Sequence, residues 1–192
     1  MDRRNFMKAG LASSSLLLLP TLLTSCDITD SETDSDKTGD IQLLTKACAM
    51  EGVAVATYTK AVEAVFTTQA YIDVANAFKS HHTAHANTLN NVLKQLGASA
   101  VDFASSSFDS NVARVNSEAK ALELATLLEL QAAQAYFSFV AGNLVTSQAK
   151  SAFADILPAE LSHYSFLRYA RGLPSSEAIS FLSNIVTPTL SF

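Results

Sequence analysis

Two stretches of the chain carry residue types that bind metal ions, and the spacing within each is the same. Glu51 is followed by Tyr58 and then by His82-Thr-Ala-His85; Glu129 is followed by Tyr136 and then by Glu160-Leu-Ser-His163. Each member of the first set lies 78 positions before its counterpart in the second. Apolar positions repeat as well, Leu44 matching Leu122, Ala47 matching Ala125, Val62 matching Val140 and Leu89 matching Leu167. A duplicated helical hairpin with its ligand-type residues in register points to a metal site on a pseudo-twofold axis. Carboxylates and imidazoles can hold one or two divalent ions there, with iron, manganese and zinc the candidates.

The elements that position these residues are helices. Around Glu51, the residues Leu44, Ala47, Val55, Tyr58 and Val62 fall on one face at 3.6 residues per turn; around Glu129 the same stripe reads Leu122, Ala125, Ala132, Ala133, Tyr136 and Val140. Each glutamate therefore sits on a face that should be buried. An uncompensated buried carboxylate costs several kcal/mol, so a cation or a proton must accompany it. The i, i+3 spacing of His82 with His85, and of Glu160 with His163, puts both members of each pair on one helix face. A lone Glu on such a stripe is usually an edge residue, a lone His a surface or core residue, and Tyr58 and Tyr136 are by default core aromatics. Six ligand types at matched intervals favour metal.

Helices are expected over 41–66, 71–95, 117–141 and 147–171, the second stopped by Leu96-Gly97 and the third by Gly142-Asn143. No strand pattern is present. The connections run short, long, short, and Pro158 inside the last helix should kink it. A further short helix is expected in the Ser-Ser-Glu-Ala-Ile-Ser-Phe-Leu-Ser stretch after Pro174.

With these residues in view, the chain resembles the ferritin-like superfamily, specifically exported bacterial ferritin-like domain proteins, over about residues 41–172. That family places a Glu from each of two helices, and a Glu-x-x-His pair from each of the other two, inside a four-helix bundle. The resemblance implies an all-α, antiparallel bundle of two duplicated hairpins, with one long crossover between helices 2 and 3. It implies metal ligands at Glu51, His82, His85, Glu129, Glu160 and His163, and Tyr58 and Tyr136 as neighbours of the ligands or electron relays. Its chemistry would be that of an oxidoreductase acting on dioxygen or peroxide at a di-metal centre. The alternative is a structural or partner-binding protein with a degenerate or zinc-stapled site.

His82 departs from the pattern, standing where the family has a glutamate. The ligand set becomes three carboxylates and three imidazoles, which weakens the preference for iron or manganese and strengthens that for zinc, copper or nickel. His81 and His85, at i, i+4, could also chelate, but the repeat register favours His82.

Residues 1–25 read as an export signal. Arg3-Arg4-Asn5-Phe6-Met7-Lys8 resembles the twin-arginine motif, and Leu23-Thr24-Ser25-Cys26 resembles a lipobox. The implied product is a lipoprotein anchored to the membrane through Cys26. Asp27 after that cysteine resembles an inner-membrane retention signal, so the expected location is the periplasm. Residues 26–40 carry six acids against Lys37 and read as a disordered tether, leaving 41–192 as the folded bundle. Removing Asp2, Arg3, Arg4 and Lys8 takes 13 bases and 18 acids to 10 and 17, a balance that excludes a basic nucleic-acid surface. Cys48 then has no cysteine partner and is expected in the core, with a soft extra ligand as the less favoured role. A small homo-oligomer is compatible with this composition, and a small-molecule substrate is not identified by it.

Overall fold

The computed structural model describes residues 34–107, 115–142 and 144–173. Four long helices account for most of them, with no strand among the described residues: α1 (Asp34–Ala64), α2 (Gln69–Gln95), α3 (Glu118–Ala141) and α4 (Ser147–Ala170). A 3-10 turn, Phe103–Ser105, lies in the long connection between α2 and α3. α1 pairs with α2 and α3 with α4, so each repeat is one hairpin. The expected signal segment, Cys26 and the short helix after Pro174 lie outside the described residues.

The helices end where local chemistry requires it. Gly97 and Gly172 take φ of 82° and 72°, the left-handed conformation that closes a helix. The Ser117 and Thr146 side chains accept the amides of Lys120 and Ala149, capping α3 and α4. Helix α4 is continuous through Pro158.

Helix α1 starts at Asp34 rather than at Ile41, which corrects the tether expectation for its last residues. Asp40, counted among the solvated acids, is 2% exposed. Its carboxylate accepts from the Thr146 amide and hydroxyl, both at 2.7 Å, and from the Val145 amide at 3.2 Å. Donors at the start of α4 thus turn an apparent spacer residue into a clamp between the first and last helices.

Each helix passes from one apolar cluster, through a polar layer, into a second apolar cluster. The first cluster gathers Leu44, Ala47, Leu89, Leu93, Tyr136 and Phe153; the second gathers Tyr58, Phe66, Phe78, Leu122, Ala125 and Leu167. Between them in all four helices fall the metal-ligand types: Glu51, then His82 and His85, then Glu129, then Glu160 and His163. Beside Glu51, Gly52 lets the crossover lie directly on α1. A Cβ there would collide with Ser106 Oγ and come within 2.8 Å of the Phe103 carbonyl.

Candidate metal centre

All six ligand-type residues converge. Glu51, His82, Glu129, Glu160 and His163 are between 0% and 3% exposed, and only His85 is half-buried. They form two groups in which the candidate ligand atoms lie within 4.8 Å of one another: Glu51, His82, His85 and Glu160, and His82, Glu129, Glu160 and His163. His82 and Glu160 belong to both. Each group draws on three helices, so neither exists until both hairpins have packed.

The contacts within the groups are short. His82 Nδ1 is 2.7 Å from Glu51 Oε2, and its Nε2 is 3.1 Å from Glu129 Oε1. His163 Nδ1 lies 3.2 Å from Glu129 Oε2. His85 Nδ1 lies 2.9 Å from Glu160 Oε1, near enough for an ion pair but without the alignment of a hydrogen bond. Both Glu160 oxygens and His85 Nδ1 are therefore buried with no hydrogen-bond partner. Glu160 Oε2 lacks an ion-pair partner as well, and a buried polar atom in that condition is rare in a folded interior, where it costs about 1–3 kcal/mol. A divalent ion held by Glu51, His85 and Glu160, with a second near Glu129 and His163, would satisfy them; the residues present fit a metal centre.

The tyrosines cross between the repeats. The Tyr58 hydroxyl donates to Glu129, and the Tyr136 hydroxyl donates to Glu51. Each thus serves the carboxylate of the other hairpin, where the sequence placed it only on the face of its own helix. Tyr58 also stacks on His82, with centroids 5.6 Å apart and planes 19° from parallel. His81 is not part of either group. Its Nδ1 lies 2.9 Å from His163 Nε2, which fixes the outer nitrogen of His163 and turns Nδ1 inward. Cys48 is fully buried, directs its thiol to the Ala86 carbonyl at 3.5 Å, and belongs to neither ligand group. It is a core residue.

The electrostatics divide the carboxylates. Burial alone would raise Glu129, but His82 and His163 outweigh it and hold its pKa far below the usual range. Glu51 is likewise lowered against its burial by His82 and His85. For Glu160 burial prevails, and its pKa rises to about 7. Burial lowers His82 and His85, yet Glu129 and Glu51 hold His82 well above its ordinary value, while Glu160 and Glu51 raise His85 to about 9. Burial, followed by Glu129 for Tyr58 and Glu51 for Tyr136, keeps both phenols protonated. The layer attracts cations, and its most poorly compensated carboxylate is the one common to both groups.

Residues 39–173 match the family model of the ferritin-like domain. The fold is similar to that of the Desulfovibrio desulfuricans bacterioferritin, a protein with a diiron site. That likeness has a TM-score of 0.60 at 18% sequence identity and covers 82% of this chain and 95% of the other. No curated protein matches the sequence. The match takes in most of the first helix, the other three helices and every residue of the polar layer, so the chain belongs to the ferritin-like domain family.

Proposed function

We propose that this protein is a membrane-anchored, periplasmic metal-binding bundle whose polar layer holds two divalent ions. Glu51, His85 and Glu160 serve one ion, Glu129, His163 and Glu160 the other, and His82 reaches both. The observation that carries this reading is Glu160: two buried carboxylate oxygens without a hydrogen-bond donor, at the junction of two four-residue ligand groups. The lipobox-like Leu23-Thr24-Ser25-Cys26 supports the anchor, with Cys26 as the lipidated residue, and Arg3-Arg4 supports export. With iron or manganese the centre would be an oxidoreductase site for dioxygen or peroxide, the ion acting as redox centre and Lewis acid at an open coordination position. Tyr58 and Tyr136 would then hold Glu129 and Glu51 in place and lie within electron-relay distance.

Elemental analysis of the full chain, reconstituted in turn with iron, manganese and zinc, tests this. About two ions per chain are expected. Glu129→Ala should lose half or more of the bound metal, and Asp73→Ala, at an exposed position, should lose none. Equal metal content in the two variants contradicts the ligand assignment.

One observation favours a second reading. His82 pairs with Glu51 through one ring nitrogen and with Glu129 through the other, an arrangement in which an imidazolium takes the place of an ion. The protein would then be a structural or partner-binding lipoprotein, and it would purify empty and resist loading.

A further inference from the structure

The chain has four histidines, at positions 81, 82, 85 and 163, and they face the polar layer in different ways. His163 turns Nδ1 toward Glu129 and gives Nε2 to His81. His85 turns Nδ1 toward Glu160 and Glu51, at 2.9 and 3.6 Å. His82 alone offers both ring nitrogens to carboxylates: Nδ1 lies 2.7 Å from Glu51 Oε2 and 3.8 Å from Glu160 Oε1, and Nε2 lies 3.1 Å from Glu129 Oε1. The ring spans the two ligand groups and is a member of each. Stacking on Tyr58 holds its plane.

We propose that His82 is a bridging ligand, binding one ion through Nδ1 and the other through Nε2 as an imidazolate, and that the centre selects zinc or copper(II). This rests on the metal-binding reading above and specifies its mode. A neutral imidazole has one ring proton and one lone pair. Held as an imidazolium between Glu51 and Glu129, the ring carries a proton on each nitrogen; each ion then replaces one proton, so two N–metal bonds form, two N–H bonds break and both protons leave to solvent. Charge supports the assignment. Glu51, Glu129 and Glu160 contribute three negative charges, and the imidazolate supplies the fourth, which balances two divalent ions as four carboxylates would. A carboxylate beside each nitrogen stabilises a cation at each. Imidazole-rich sites favour copper and zinc, and affinity for divalent ions generally rises from manganese and iron to copper.

The test is nitrogen NMR of the full chain, labelled with ¹⁵N at histidine and loaded with zinc, alongside zinc stoichiometry. The His82→Gln variant assigns the His82 resonances. Expected are two zinc ions per chain, both His82 nitrogens at metal-bound shifts and no ring N–H on His82, while His85 and His163 each keep one. The His82→Gln variant should hold no more than one zinc. Zinc-loaded protein in which His82 retains a ring N–H would overturn the bridge and leave the metal site standing. A chain that retains no zinc, iron or manganese would overturn both readings. The wild-type spectra decide the question even if the variant misfolds, because one His82 resonance pair must lack a proton.

Discussion

Tyr58 and Tyr136 show what a repeat can and cannot reveal at the scale of single residues. Their matched positions, each seven residues after a glutamate, marked them as neighbours of the site. That each donates to the glutamate of the opposite hairpin depends on how the hairpins dock, which helical periodicity does not encode. His81 is a sharper case. The position equivalent to it in the second repeat is Ala159, so register gave no hint of its contact with His163. The Tyr58 hydroxyl is one of three side chains that compensate the buried Glu129 carboxylate, with His82 and His163. Tyr58→Phe removes that donor without opening a large cavity and should destabilise the fold by about 1–3 kcal/mol in urea unfolding. A change below about 0.5 kcal/mol, the range of ordinary surface substitutions, would mean the hydroxyl is not compensating Glu129.

At the scale of elements, helix extents were legible because Ala- and Leu-rich stripes and Gly97 speak locally. The start of α1 was not, because six acids in fourteen residues read as a solvated run until one of them meets donors from a distant helix. Asp40→Ala leaves the amide and hydroxyl of Thr146 and the amide of Val145 without that acceptor. It should cost about 1–3 kcal/mol, measured by thermal or chemical unfolding. Glu118 offers a pH-dependent counterpart. It accepts from the amides of Thr67 and Thr68, both at 2.6 Å, and from their hydroxyls, joining the start of α3 to the connection that leads into α2. These donors, the Thr68 and Thr67 amides foremost, lower its pKa from 4.5 to about 2. A depressed folded-state pKa gives a contribution that is present above pH 4.5 and lost as the pH falls through about 2. Glu118→Gln should therefore be less stable than the wild type at neutral pH, and the gap should close between about pH 4.5 and pH 2. A gap that stays constant across this window would contradict the contact.

For the whole molecule, the organising feature is a polar layer threaded through four helices between two apolar clusters. Its existence was legible because the duplication forced each ligand type into the same register as its partner, and a buried carboxylate on an apolar stripe needs a cation. Its internal arrangement was not, since only the docked hairpins show that Glu160 and His82 belong to both ligand groups. The ferritin-like family match over residues 39–173 covers this whole layer, while the 18% identity to a diiron bacterioferritin speaks to the fold alone. The central claim, that these six residues hold two ions, is tested most directly by diffraction from metal-loaded crystals at the absorption edge of the bound metal. The account predicts two anomalous peaks within the layer, one among Glu51, His82, His85 and Glu160 and the other among His82, Glu129, Glu160 and His163. Peaks confined to the protein surface, or none, would contradict it.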